Sequence, residues 1–200
     1  WVARMIMLGL YRTGKIPFHT VYLHGMVKDK DRQKMSKSKG NVIDPLGVAE
    51  LYGTDAVRMA LVIGNTAGND IVISEEKIRG YRNFANKIWN ATRFVLQQNT
   101  SKGSKRENAK QKRRNKIEIS KLKKVVKETT KDLENFRFHH AASRLYHFFW
   151  HYYADKIIED YKKGFVSKKV LLQFHQTLIK LLHPFMPFTT EEIYQIMPLK

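Results

Sequence analysis

The chain has 200 residues, 42% of them hydrophobic, which suits one large domain or two small ones around a packed core. Its net charge of +19 and pI near 10 favour a polyanionic partner, foremost nucleic acid, over an ordinary small-molecule site. The lack of cysteine excludes disulfides and thiolate metal sites and fits a reducing compartment. No run of about 18 apolar residues is present, so we expect no membrane partner.

The first quarter of the chain predicts the end of a parallel α/β sheet. Residues 1–14 have an amphipathic pattern that stops at Gly14, which indicates a helix. The apolar run 22–27 is typical of a buried parallel strand, and Asp44-Pro45 marks the next helix start. Since ligands bind beyond the carboxyl ends of such strands, the intervening loop is the first place to look for a site.

That loop contains Lys34-Met35-Ser36-Lys37-Ser38, followed by Lys39-Gly40-Asn41. Two ammonium groups and two hydroxyls beside a strand end suit a polyphosphate, because lysine acts there as a point charge with three donors. By charge alone, the run is equally compatible with a solvated basic loop.

From residue 46 the pattern is helical, so we expect a mainly α chain. Short helices are predicted at 48–52 and 55–63, and Ser74 is predicted to cap a long helix reaching residue 98. Residues 99–116 hold eight basic residues and one acid, which predicts a flexible linker. Further helices, the last capped by Thr189 or Thr190, predict an antiparallel bundle.

The order of the loop residues resembles the signature loop of the class I aminoacyl-tRNA synthetases, and the resemblance covers nearly the whole chain. The residues of the motifs are most similar to those of the valyl branch, although isoleucyl- and leucyl-type members share the loop. The matching motifs are Trp1-Val2-Ala3-Arg4-Met5, His24-Gly25, residues 34–44, Tyr52-Gly53-Thr54-Asp55-Ala56-Val57-Arg58, Gly68-Asn69-Asp70, Arg82-Asn83-Phe84-Ala85-Asn86-Lys87-Ile88-Trp89-Asn90 and Leu182-His183-Pro184-Phe185-Met186-Pro187-Phe188.

The resemblance implies the tail of a doubly wound, Rossmann-like catalytic domain in residues 1–45, a helical connecting segment resembling a stem-contact region in 46–73, and an α-helical anticodon-binding domain in 74–200. It implies ATP-dependent ligation of valine to tRNA(Val), with ATP and Mg²⁺ as cofactors. We expect the cytoplasm as the default location, with an organelle as the alternative. The family's His-Ile-Gly-His motif and editing insertion do not occur in this sequence, so we expect a piece of a longer enzyme that is inactive alone.

The resemblance also assigns roles in the loop. Lys37 is expected to stabilise the transition state as the amino acid attacks ATP, because negative charge moves onto the leaving pyrophosphate. Lys34 is a second, weaker catalytic candidate at the same phosphates. Ser36 and Ser38 are expected either to bond phosphate oxygens or only to shape the turn.

Three further positions match the family around this loop. His24 and Gly25 are expected to contact the adenosine of ATP, and Trp1 resembles the residue lining the valine pocket. A core anchor is the alternative for Trp1. The Asp-x-x-Gly turn often found before the loop reads Asp29-Lys30-Asp31-Arg32 here, which puts the entry geometry of the loop in question.

The predicted helix 74–98 has a polar face suited to phosphates and unstacked bases, with a solvated face as the alternative. Phe136 fits the core stripe of its own segment and is not expected to contact RNA. His147 and His151 lie one turn apart, but no third ligand motif is visible, so we predict no metal site. The residues expected to bind tRNA are Arg79, Arg82, Asn83, Lys87, Arg93, Arg137 and Phe138.

Three other functions stay open at this point. An isoleucyl-type synthetase would share the loop and the domain order. A stand-alone RNA-binding module would keep the loop without catalysis. A structural or assembly fragment would use its basic surface to bind acidic protein.

Overall fold

The structure is a computed structural model that describes residues 1–99 and 108–197. It is mainly α-helical, as predicted. Within residues 1–99 and 108–197, no helix is long and apolar enough to span a membrane. The elements are α1 (Val2–Thr13), β1 (Val27–Lys28), a 3₁₀ turn (Lys37–Lys39), α2 (Pro45–Tyr52), α3 (Thr54–Val62), β2 (Ile71–Val72), α4 (Glu75–Asn99), α5 (Ala109–Glu134), α6 (Phe138–His147), a π-helical segment (Phe148–Ile157), α7 (Ile158–Lys162), α8 (Lys168–Leu182) and α9 (Pro187–Ile196).

The predicted buried strand at 22–27 is wrong in extent and in burial. β1 has two residues and pairs in parallel with β2, through Val27–Ile71 and Lys28–Val72. Leu23 is 66% exposed and carries no regular structure. The reason is that the described residues give β1 a single neighbour of only two residues, so no sheet covers the apolar run.

Two hydrophobic clusters hold the helices together. In the larger one, Phe84 and Ile88 of α4 pack with Phe149 of the π segment and with Phe174 and Leu178 of α8. The smaller cluster joins α2, α3, β2 and the first turn of α4 through Val48, Ala56, Ala60, Ile71, Ile73 and Ile78. The short helices are therefore packed directly onto the start of the bundle.

The second half of the predicted linker is wrong. Residues 109–116 form the first two turns of α5, and Asn108 caps them by accepting the N–H of Gln111 at 2.8 Å. Arg114 bonds Asp160 at 2.9 Å and Asn115 bonds Ser167 at 3.0 Å, so the helix has partners on its inner side. Lysine and arginine are good helix formers, which is why a basic run need not be unstructured. Residues 100–107 lie outside the described residues.

The link between α8 and α9 is held by α3. Asp55 caps α9, because its carboxylate accepts the N–H groups of Phe188 and Thr189 at 3.3 and 2.6 Å. Arg58, one turn later, donates to the carbonyls of Pro184 and Phe185 at 3.0 and 3.3 Å. The predicted cap at Thr189 or Thr190 is wrong, because α9 begins at Pro187 and a side chain from a distant helix satisfies its first donors.

A buried polar chain joins α4, the π segment and α8. The ring of His175 is fully buried, with Thr92 Oγ1 at 3.0 Å from Nε2 and the Tyr153 hydroxyl at 3.0 Å from Nδ1. Because Thr92 donates its hydrogen to the Ile88 carbonyl at 2.9 Å, Nε2 must carry the imidazole hydrogen and Tyr153 donates to Nδ1. Burial lowers the pKa of His175 to about 3, so this ring is neutral at pH 7.

Candidate nucleotide loop and nucleic-acid face

The signature loop, residues 34–41, is closed at its base by Asp29 and Asn41. The Asn41 amide donates to Asp29 Oδ2 at 2.6 Å and to the Lys34 carbonyl at 3.3 Å, and its Oδ1 accepts the Ser36 N–H at 2.9 Å. The amide of Asn41, followed by the backbone N–H of Gln33, holds the pKa of Asp29 below its usual value. The sequence places both residues in or near the loop, but it gave no signal that they bond to each other.

Arg32 makes the turn that leads into the loop. Its φ of +59° lies in the left-handed region, and its N–H donates to the Asp29 carbonyl at 3.0 Å. Glycine would be the favoured residue at such a position. The departure from Asp-x-x-Gly therefore leaves the turn formed, with a strained residue in place of glycine.

The loop presents its cations to solvent. Lys34 forms an isolated antiparallel bridge with Lys28, and Lys37 opens the 3₁₀ turn that ends at Gly40. The side chains of Lys34 and Lys37 are exposed, and neither has a hydrogen-bond or ion-pair partner in the described part of the chain. With the hydroxyls of Ser36 and Ser38 3.2 Å apart, the loop offers uncompensated charge and hydrogen-bonding groups within five residues.

The backbone packed against residue 25 leaves room only for glycine. A Cβ at this position would stand 1.9 Å from the carbonyl oxygen of Asn69, far inside any real contact. The Met26 N–H beside it donates to the Asp70 carboxylate at 2.9 Å. The close approach predicted at Gly25 is thus made by the 69–70 backbone, and contact with a nucleotide is a separate proposal.

Two other predicted site residues lie at the surface. Trp1 is 90% exposed, and its ring lies 5.4 Å from the guanidinium carbon of Arg4. The alternative of a core anchor is therefore wrong for Trp1. His24 is also exposed, with Nδ1 2.8 Å from the Gly25 carbonyl oxygen.

The polar face of α4 forms as the sequence predicts. Arg79, Arg82, Asn83 and Arg93 are all exposed on this helix. Lys87 does not belong to this face, because its ammonium lies 2.7 Å from Asp155 and 4.3 Å from the centroid of the Trp150 ring. Its pairing joins α4 to the π segment.

The corner between α5 and α6 reverses the expected exposure of two aromatic rings. Phe136 is 44% exposed at a φ of +56°, because α5 ends before it and the core stripe stops. Phe138 is half-buried, with its ring centroid 5.4 Å from that of Tyr22. Arg137 pairs with Asp132 at 2.7 Å. Phe136 is therefore the ring that could stack on a base.

The histidine row on α6 and the π segment has no metal geometry. In the two described stretches, no group of three His, Asp or Glu side chains could hold a metal ion. Asp155, the acid nearest to His151 on this row, is engaged by Lys87.

Comparisons with known proteins agree with this arrangement. Residues 1–74 match the family model of class I tRNA synthetases (I, L, M and V), and residues 115–200 match that of the anticodon-binding domain of tRNA ligase. The valine–tRNA ligase of Solibacter usitatus is 46% identical over 98% of this chain, and that of Syntrophotalea carbinolica is 44% identical over 99%. The chain spans 23% of the length of each of these relatives.

Solved structures show the same fold. A ternary complex of leucyl-tRNA synthetase with tRNA and LeuAMS from Agrobacterium radiobacter superposes with a TM-score of 0.77 at 26% identity, over 96% of this chain and 24% of that one. Methionyl-tRNA synthetase of Mycobacterium tuberculosis with methionyl-adenylate gives 0.65 at 21% identity, over 86% and 37%. The isoleucyl and stand-alone alternatives gain no support. The chain therefore belongs to the class I aminoacyl-tRNA synthetase family, in its valyl branch.

Proposed function

We propose that the protein to which this chain belongs uses ATP to ligate valine to tRNA(Val). In this proposal, residues 1–45 supply the ATP-binding loop and residues 74–200 bind tRNA. Residues 46–73 form the helical segment that connects these two parts. The observation that carries it is the pair of uncompensated ammonium groups, Lys34 and Lys37, on a loop clamped by Asp29 and Asn41. The names of the relatives support valine as the amino acid.

The chemistry asked of the loop is electrostatic. When a valine carboxylate oxygen attacks the α-phosphorus of ATP, the bond to the pyrophosphate breaks and negative charge grows on the leaving oxygens. The ammonium group of Lys37 stabilises the transition state more than the bound substrates, because its attraction rises with the charge on the leaving group. In this proposal Lys34 attracts the same phosphates, and the hydroxyls of Ser36 and Ser38 donate hydrogen bonds to them.

We also propose that three residues outside the loop contact the substrates. His24 and Gly25 lie just before β1, and the turn after β1 leads into the loop, which supports the proposal that they contact the adenosine. Trp1 is proposed to line the amino-acid pocket, and its exposure leaves the ring free for that contact.

Residues 34–41 do not fit a Mg²⁺ site of their own. They carry no carboxylate, and Asp29 at the base is occupied by Asn41 and by backbone donors. We propose Mg²⁺ only as a partner of the ATP phosphates.

Replacement of Lys37 in the full-length protein tests the proposal. Lys37→Ala is expected to lower valine-dependent pyrophosphate exchange about 10²–10³-fold, as the loss of one preorganised donor does elsewhere. Lys39→Ala is the matched control, since Lys39 lies in the same 3₁₀ turn and its ammonium donates to Gln33 Oε1 at 3.5 Å. Equal rates for the two variants would contradict the role of Lys37, and exchange driven by isoleucine alone would contradict valine.

The tRNA part is tested on α4. Arg79→Gln with Arg93→Gln is expected to weaken binding of a tRNA(Val) transcript more than that of a transcript with a changed anticodon, because unstacked bases are read at close range. Arg79 and Arg93 are exposed, so the folded chain should tolerate both changes. An equal loss for both transcripts would show that this face does not read the anticodon.

A further inference from the structure

The outward side of α5 carries a continuous line of cations. The helix buries Asn115, Glu118, Leu122, Val125, Thr129 and Asp132 on its inner side. At 3.6 residues per turn, the opposite side faces solvent. Its exposed cations, here called the α5 ridge, are Lys112, Arg113, Lys116, Lys123, Lys127 and Lys131.

Three of the four acids of the same helix are turned away from the α5 ridge, and the fourth, Glu134, is the exposed last residue of the helix. Glu118 is fully buried and is bound by Arg114 at 3.0 Å. Arg144 of α6 binds Asp132 at 3.0 Å and Glu128 at 2.6 Å. The side chains of the α5 ridge have no ion-pair or hydrogen-bond partner within residues 1–99 and 108–197. Their charges therefore add over about 28 Å of helix, at 1.5 Å per residue.

The position of these cations is unfavourable for the helix alone. The first two turns of α5 carry Lys110, Lys112 and Arg113, and its first turn has no acid. Cations close to the positive end of a helix dipole are unfavourable at low salt. Acids four residues away on the outward side would offset this repulsion by forming i,i+4 ion pairs. The i,i+4 pair beside the α5 ridge, Lys124–Glu128, is long, with 3.9 Å between Nζ and Oε1. The arrangement therefore indicates an external source of negative charge.

We propose that the α5 ridge binds the phosphate backbone of structured RNA, and we identify that RNA with the tRNA of the proposed function, on which this inference rests. Steps of four residues place cations about 6 Å apart at 112–116 and again at 123–131, and about 10 Å separates the two groups. A phosphate chain can follow such a line. The α5 ridge contains no aromatic side chain to stack on unpaired bases, so its binding is independent of sequence. It also differs from the α4 face, since it lies on another helix.

A charge-matched pair of variants in the full-length protein tests this. Lys123→Gln with Lys127→Gln removes two charges from the α5 ridge, and Lys169→Gln with Lys180→Gln removes two from exposed positions on α8. Glutamine and lysine have similar helix propensities, so both proteins should fold, which circular dichroism will check. The slope of log affinity for a tRNA transcript against log salt is expected to fall by about 1.4–1.8 for the ridge pair and to change little for the α8 pair.

Two further measurements test the proposal: the affinity for transcripts with different anticodons, and the affinity for phosphatidylserine vesicles. Transcripts with the valine anticodon and with a changed anticodon should lose affinity by the same factor in the ridge variant. Equal salt slopes for the ridge and α8 variants, a loss confined to one anticodon, or a loss confined to phosphatidylserine vesicles would each overturn the proposal. Valine-dependent pyrophosphate exchange needs no tRNA in the proposed scheme, so failure of the proposed function would appear there and not in the salt slope.

Discussion

Gly25 and Gly80 are both glycines, yet their surroundings give opposite expectations. Gly25→Ala would push a methyl group into the Asn69 carbonyl, and we expect it to lower the free energy of unfolding by about 1–3 kcal/mol. Gly80 lies inside α4 with open space where a methyl group would stand, so Gly80→Ala should raise the free energy of unfolding by about 1 kcal/mol. Urea unfolding of both variants gives the comparison. A Gly25→Ala variant as stable as the parent chain would show that the contact between Gly25 and Asn69 is not tight in solution.

The lysines of the signature loop could be predicted because they are contiguous in sequence. The Asp29–Asn41 bond could not, because it joins positions 12 apart that meet only when the hairpin before the loop has formed. Lys87 shows a second limit. It shares α4 with the exposed Arg82 and has the same charge, but its ion pair depends on where Asp155 of another element lies.

At the scale of the element, the cap that α3 gives to α9 allows a test. Asp55→Ala is expected to lower the free energy of unfolding by about 1–2 kcal/mol, because the N–H groups of Phe188 and Thr189 lose their acceptor. Asp55→Asn keeps an acceptor oxygen and should cost less. Chemical unfolding measures both. Equal losses for Ala and Asn would mean that Asp55 acts through packing rather than through the cap.

Helices with a strong apolar pattern could be predicted, whereas their ends depended on distant partners. The first two turns of α5 were expected to be a linker because their charge density is high, but Asp160 and Ser167 hold their inner side. The apolar run before β1 was expected to be a buried strand, but pattern alone does not supply the neighbours that a strand needs. Tertiary partners decided both outcomes.

At the scale of the whole molecule, the neutral His175 makes stability depend on pH. Its pKa is about 3 in the folded chain against an ordinary 6.5, so between these values only the unfolded chain takes up the proton. Stability should therefore fall as pH drops below 6.5, by about 2 kcal/mol between pH 6.5 and 5 from this group. Burial also lowers the pKa of His139, which acts in the same direction.

Urea unfolding at pH 7.5, 6.5 and 5 measures this slope. His175→Gln should be less stable at pH 7.5, yet should lose less on acidification because no ring remains to be protonated in the unfolded chain. A variant with an unchanged pH slope would show that other groups cause the loss.

The clamp between α3 and the last helix has a consequence for synthesis on the ribosome. Asp55 and its bonding partners are 133 and 134 positions apart, so at about 5–20 residues per second the carboxylate waits about 7–27 s for α9 to emerge. During that interval α3 must keep an ionisable group hydrated that the finished fold buries. The nascent chain therefore has to leave this corner open until α9 has been synthesised, and the bundle cannot close before that point.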